Sequence, residues 1–215
     1  MAETLASQKG HRWFAALYDR VSGRAERRVL SQLRPFVTGE ATGHVLEIGV
    51  GTGANLPYYR VAEKIVGTEP DPFMLSRAKK RTAQLGLSVE FHQCPAEALP
   101  FPGASFDTVV ATLVLCTVDD PARSLAEIRR VLKPNGTFCF MEHVRADGRF
   151  AGQVQDLLTP ACRWFGVGCH LNRKTLASME AAGFELTEIR QRRLALLPLV
   201  IGVAREKGQT PGESP

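Results

Sequence analysis

Val45-Leu46-Glu47-Ile48-Gly49-Val50-Gly51-Thr52-Gly53-Ala54-Asn55 is an apolar run that stops at three alternating glycines and passes into a helical pattern. It reads as a strand, a tight turn and a helix start. Glycines at such a turn let a ligand lie against bare backbone, because a side chain would fill the space and positive φ strains other residues. Glu47, two residues before Gly49, can reach over the turn toward a ligand cation. A carboxylate there repels a pyrophosphate and attracts an ammonium, and in a partly dry cleft that attraction is substantial. The pattern therefore favours S-adenosylmethionine over a nicotinamide dinucleotide, with Gly49, Gly51, Gly53 and Asn55 beside Glu47 at the cofactor.

Downstream, Lys64 to Thr68 forms a short apolar strand that ends at Glu69-Pro70-Asp71-Pro72, before a proline-opened helix from about Phe73 to Leu85. An acid about twenty residues past the first glycines is the position that holds ribose hydroxyls in nucleoside-binding folds. Glu69 takes that role, with Pro70 next to it. A third strand, Ser88 to His92, leads into Cys94-Pro95-Ala96-Glu97-Ala98-Leu99, where the backbone near Ala96 and the Glu97 side chain could read an adenine. A long apolar strand, Ser105 to Cys116, carries Leu113 toward the cleft, and Val118-Asp119-Asp120-Pro121 turns into the next helix. That helix, Ala122 to Leu132, is stopped by Lys133-Pro134-Asn135-Gly136, and Thr137 to Val144 reads as the fifth strand.

Alternating strands and helices with apolar strands imply an α/β, doubly wound, mostly parallel seven-stranded sheet of Rossmann-like type, whose ligand cleft lies at the carboxyl ends of the strands. Glu47, Glu69, Glu97, Cys116 and His143 all fall near those ends. Residues 1–37, with Trp13, Phe14, Leu17, Tyr18 and Val21 at helical spacing, read as an N-terminal helical lid on which Tyr18-Asp19 is a candidate cofactor or substrate contact. Residues 38–207 form the catalytic domain, with a helical insertion from Ala151 to Ala182 before the last two strands, which close the sheet as an antiparallel edge. Residues 208–215, rich in glycine and proline, read as a disordered tail.

With 215 residues and 44% hydrophobic composition, one good core is expected. The net charge of +5 is spread over polar helix faces, so no nucleic-acid partner is expected. The five cysteines, Cys94, Cys116, Cys139, Cys162 and Cys169, have no paired CxxC spacing, so neither a disulfide framework nor a metal site is read from them, and reduced thiols in a cytoplasm fit best. The longest apolar run, Leu194 to Ala204, is short and interrupted by Pro198 and Gly202, so no transmembrane segment is expected. Contact with a membrane surface and the choice between monomer and homodimer stay open.

Glu47 to Gly53, Glu69, Leu99-Pro100-Phe101, Ser105-Phe106-Asp107 and Leu132 to Gly136 together resemble the motif series of class I S-adenosylmethionine-dependent methyltransferases. Thr112 to Cys116, Phe140 to Val144, and Gly168-Cys169 with Leu171 and Arg173 resemble the methyltransferase-like family that includes microsomal thiol S-methyltransferases of animals. That resemblance implies methyl transfer to a small lipophilic acceptor, an alkyl thiol first. The superfamily motifs alone leave room for a quinone carbon, a phenol or a lipid amine, or for a cofactor-binding module without turnover. Members carry an N-terminal hydrophobic anchor that the opening of this sequence does not show. Pro95 stands where many members have an acidic or amide residue beside the adenine, which leaves Glu97 and the backbone to that task. Because a sulfonium methyl is already electrophilic, the enzyme needs mainly to align the acceptor and favour its thiolate. His143 is the candidate base, Arg173 an electrostatic helper and Asp119 a further candidate. Cys116 and Cys169 are read as pocket lining.

Overall fold

The computed structural model describes residues 29–165, 168–194 and 197–208. Most of the expected lid, including Tyr18, lies outside the described residues, as does the tail from 209. Seven strands form one sheet in the order β3-β2-β1-β4-β5-β7-β6. They are β1 (Gly43–Ile48), β2 (Ala62–Thr68), β3 (Val89–His92), β4 (Phe106–Thr112), β5 (Leu132–His143), β6 (Phe184–Leu194) and β7 (Leu197–Glu206). Strands β1 to β5 pair in parallel, and β7 runs antiparallel between β5 and β6. This is the doubly wound, mostly parallel sheet with an antiparallel edge that the sequence pattern predicts.

The sheet is apolar on both faces because its strands alternate between two cores. Leu46, Val109, Phe138, Phe140 and Val200 face one core, while Val45, Val110, Cys139, Met141, Leu199 and Ile201 face the other. Burial on both sides is what a parallel sheet requires, and helices supply it. Helix α3 (Pro121–Val131) and helix α5 (Thr175–Ala181) cover the first face through Leu125, Ile128, Val131 and Met179. Helix α1 (Ser31–Thr38) covers the second with Leu33 and Val37. Helix α2 (Pro72–Leu85) packs Leu75 and Ala78 against Val50 and Leu56 beyond the glycine turn. Helix α4 (Arg149–Phe165) opens the insertion. Among the described residues no helix is long and apolar enough to cross a membrane.

Two of the expected helix starts follow the sequence, whereas the helix expected after the glycine turn is only a single 3-10 turn, Leu56–Tyr58. Asp71 accepts from the amides of Phe73 (2.7 Å) and Met74 (3.2 Å), Asp120 accepts from that of Arg123 (3.0 Å), and Pro72 and Pro121 occupy first-turn positions where no donor is needed. Several boundaries differ from the sequence reading, among them β6, which runs on to Leu194, and two that a tertiary contact moves. Strand β5 begins at Leu132, so the Lys133-Pro134-Asn135-Gly136 turn is absorbed into the strand as an irregularity, with Asn135 at φ 63°. Strand β4 ends at Thr112 and not near Cys116. Leu113 turns to φ 59°, and the next three amides leave the ladder for the buried carboxylate of Glu142.

Candidate active site

The carboxyl edge of the sheet is organised by three buried acids, each at or just past the end of a strand. Glu47, near the end of β1, is 2% exposed. Tyr59 Oη donates to its Oε2 (2.8 Å) and Asn55 Nδ2 to its Oε1 (3.0 Å). Asn55 is held in turn by Arg34 Nη1, which donates to Asn55 Oδ1 (2.5 Å), and Asn55 Nδ2 also donates to Thr112 Oγ1 (2.9 Å). Burial raises the Glu47 carboxyl to about 7, opposed by Tyr59, Arg34 and Asn55. Each Glu47 oxygen accepts one of these bonds and keeps a second lone pair.

The glycine turn curls over this network. Gly49, Gly51 and Gly53 all have positive φ, at 62°, 57° and 81°. They are not equivalent. A Cβ on Gly49 would lie 2.6 Å from Val114 Cγ2 and one on Gly53 2.8 Å from Leu56 Cδ1, whereas one on Gly51 would meet nothing closer than 3.8 Å. The outer glycines are required by packing, and the middle one leaves bare backbone facing open space. Gly49→Ala is accordingly expected to lower unfolding free energy by about 2–5 kcal/mol, summing positive-φ strain and overpacking. Gly51→Ala should show only the strain, about 1–2 kcal/mol. Urea unfolding of the two variants measures the difference, and equal losses would contradict this geometry.

Glu69, one residue past β2 and 8% exposed, ties the turn to the second strand. The Gly51 amide donates to its Oε2 and the Asp71 amide to its Oε1, both at 3.0 Å. Burial, against the pull of those two amides, raises this carboxyl to about 7. Pro70 follows, its carbonyl accepting from Gln93 Nε2 (3.1 Å). Ala96 is buried, and the Glu97 Oε1 accepts from the amides of Asp119 (2.9 Å) and Asp120 (3.2 Å). That oxygen therefore braces the turn before α3. Leu113 holds its left-handed backbone with its amide donating to Met141 O (2.8 Å), a strained conformation for a residue other than glycine, and its side chain packs against the second core.

Glu142, which the sequence reading did not single out, is fully buried near the end of β5. Its Oε1 accepts from the amides of Val114 (2.8 Å) and Leu115 (3.0 Å), and its Oε2 from that of Cys116 (3.3 Å). Burial, opposed by these three donors, raises it to about 7. Arg173 grips the same turn, Nη1 donating to Leu115 O (2.6 Å), and the His170 amide donates to Cys116 O (2.8 Å). The signal was present in the sequence as an acid inside the apolar run Phe138 to Val144. Tyr59 and Arg34 were also missed, since neither belongs to a recognisable motif.

The result is that Cys116, His143 and Cys169 come together, their Sγ and ring nitrogen atoms all within 4.8 Å of one another. Both ring nitrogens of His143 are buried and have no hydrogen-bond partner. The neighbouring Cys116 draws the Cys169 thiol below its ordinary range, against burial and with help from His143 and His170, while the Cys116 thiol is held well above its own. Arg173 is half-buried and lies within electrostatic reach of both sulfurs. Asp119 is exposed and contributes its amide to Glu97.

A methyltransferase-domain family model matches residues 46–140, the span that holds the glycine turn and all of the parallel strands' carboxyl ends except that of β5. Thiol S-methyltransferase TMT1B of Homo sapiens is 33% identical over 181 residues, 82% of this chain and 74% of that protein. A phosphatidylethanolamine N-methyltransferase of Cereibacter sphaeroides is 34% identical over 66% of this chain and 69% of its own length. Among solved structures, a geranyl diphosphate methyltransferase in complex with SAM shares the fold with a TM-score of 0.68 at 14% identity, over 84% of this chain and 86% of that one. The glycine turn, the buried acids at the strand ends and these relatives agree, and the chain belongs to the class I methyltransferases, enzymes that use S-adenosylmethionine.

Proposed function

We propose that this enzyme methylates the sulfur of a small lipophilic thiol. The observation that carries the reading is the His143 imidazole at the carboxyl edge of β5, its buried ring nitrogens without a hydrogen-bond partner, beside two thiols and Arg173. The human relative, a thiol S-methyltransferase, supports the same acceptor class.

The residues fit the cofactor. The open backbone of Gly51 admits a ligand where a Cβ would otherwise stand, and the Gly51 and Asp71 amides aim the Glu69 carboxylate at the same turn. Glu69 is the partner for the ribose hydroxyls, Glu47 for the ammonium, and Pro70, Ala96 and Leu113 line the path between. S-Adenosylmethionine, when bound, supplies an electrophilic sulfonium methyl. The chain's own work is to exclude water and hold the acceptor sulfur as its thiolate. His143 is placed to take the thiol's proton, and the positive charge of Arg173 favours the anion, since positive charge near a thiol increases the ionised fraction at neutral pH.

One consequence concerns pH. An ammonium beside Glu47 favours the carboxylate, so cofactor binding should expel the proton that burial retains up to about pH 7. Affinity for S-adenosylmethionine is expected to weaken as pH falls below about 7, by about tenfold per unit for Glu47 alone and more steeply where Glu69, raised to the same range, must also ionise. Calorimetry in buffers of different ionisation enthalpy reads the proton release directly. Binding that takes up protons would contradict the assignment of Glu47.

The reading is tested by S-adenosylhomocysteine release with an alkyl thiol, its matched alcohol and phosphatidylethanolamine vesicles. The thiol alone should support turnover. Turnover confined to the vesicles would favour the lipid-amine reading, which the bacterial relative supports. Tight cofactor binding with no turnover on any acceptor would favour a binding module.

A further inference from the structure

Three side chains with metal-binding atoms reach the carboxyl edge from three separate segments. Cys116 comes from the turn after β4, His143 from the end of β5 and Cys169 from the segment before α5. Methyl transfer from a sulfonium asks for no enzyme thiol, so two of them at the acceptor side need a reason. The chain commits buried interactions to this arrangement: Glu142 collects the Val114, Leu115 and Cys116 amides, the His170 amide holds Cys116 O, and Arg173 holds Leu115 O. The imidazole so positioned has no hydrogen-bond partner on either nitrogen. Cys116 is buried, while Cys169 and His143 are partly exposed.

We propose that Cys116, His143 and Cys169 are three ligands of a zinc-type divalent cation whose fourth position receives the sulfur of the acceptor thiol. The proposal rests on the thiol reading above and gives it a device for making the thiolate. Two thiolates and an imidazole select a borderline-soft ion such as Zn²⁺ over Mg²⁺ or Ca²⁺, which prefer oxygen. Three protein ligands with one open position is the pattern of catalytic zinc. Tetrahedral bonds of about 2.0–2.3 Å put neighbouring ligand atoms roughly 3.3–3.8 Å apart, so side-chain rotation of about an ångström would close the cluster. Two thiolates balance the ion's charge, and the positive charge of Arg173 faces the extra anion that a bound substrate thiolate brings. Glu142 and Arg173 act as positioning residues through the backbone of the turn that carries Cys116.

The step balances without an added reagent. The acceptor thiol loses its proton to solvent as its sulfur takes the fourth position. That sulfur's electron pair forms the bond to the methyl carbon while the methyl–sulfonium bond breaks, and the electrons of the broken bond stay on the sulfur of S-adenosylhomocysteine. The neutral thioether is a poorer ligand than the thiolate and leaves. His143 thus favours the thiolate as a ligand of the ion.

The test uses the full chain, reduced and stripped with a chelator, titrated with cobalt(II) chloride alone. One equivalent should bind, with thiolate-to-cobalt charge-transfer absorption and the intense visible bands of a tetrahedral ion. An alkyl thiol should shift the visible bands, and the matched alcohol should leave them in place. Cys169→Ser and His143→Ala, each checked for S-adenosylhomocysteine binding to establish folding, should weaken cobalt binding by about tenfold or more. Absence of the charge-transfer band in folded, reduced protein, or its persistence unchanged in Cys169→Ser, would overturn the site. Zinc-loaded protein should release S-adenosylhomocysteine with thiol at least several-fold faster than stripped protein. Equal rates would overturn the cation's role and leave thiol methylation standing. Cobalt binding with no turnover of any thiol would overturn the thiol reading and leave the cation site.

Discussion

Replacing Glu142 with alanine is expected to cost about 3–5 kcal/mol of unfolding free energy, a large share of the stability of an ordinary domain. The substitution leaves the amides of Val114, Leu115 and Cys116 without an acceptor in a fully buried place. Each orphaned donor costs about 1–3 kcal/mol, and the sum is reduced because an acid whose proton affinity burial has raised is itself expensive to bury. Glu142→Gln keeps one acceptor oxygen for two of the three amides and should lose less. Urea unfolding followed by circular dichroism reads both. A loss below about 1 kcal/mol for the alanine variant would mean that the three amides find other partners and that the turn does not depend on this side chain.

Replacing His143 with alanine is expected to reduce thiol-dependent turnover by about a hundredfold or more, equivalent to about 2.7 kcal/mol of transition-state stabilisation. S-Adenosylmethionine affinity should stay within about twofold, because the cofactor contacts assigned to Glu47, Gly51 and Glu69 lie at the ends of β1 and β2 and not on β5. The fall should appear in kcat at saturating thiol and should lessen as pH is raised toward the thiol's own ionisation, where the anion forms unaided. A variant with unchanged kcat would remove His143 from the chemistry. A fall that is the same at all pH values would assign it a structural part.

Much of this fold was legible in the sequence because the strands alternate between two apolar cores and end at turn or helix-start residues of definite geometry. Gly49, Gly51 and Gly53 signal positive φ, and Asp71-Pro72 and Asp120-Pro121 signal helix starts; all behave accordingly. The chain reading erred where a tertiary partner overrides local pattern. Leu113 to Cys116 is apolar enough to continue β4, and only the buried Glu142 carboxylate from β5 turns it away. Lys133 to Gly136 carries every sign of a turn, yet parallel pairing of β5 with β4 takes it into the strand.

The site divides in the same manner. Glu47 and Glu69 fall around the glycine turn because both positions follow from strand-end geometry, and Asn55, at the far end of the turn, reaches back to Glu47. Glu97 has its Oε1 committed to the Asp119 and Asp120 amides, an interaction between two loops that no linear pattern reveals. Cys116 and Cys169 are more than fifty residues apart in the chain and lack metal-motif spacing, so their meeting with His143 could come only from the fold. Arg34 and Tyr59 join the Glu47 network for the same reason.

The most direct test of the central claim is to follow the methyl group itself. Purified protein would be incubated with methyl-deuterated S-adenosylmethionine, an alkyl thiol and phosphatidylethanolamine vesicles together, and the products resolved by mass spectrometry. The site described above predicts the label on sulfur, as the deuterated methyl thioether, with one S-adenosylhomocysteine formed per thioether. Label on the lipid amine, with the thiol recovered unchanged, would contradict it.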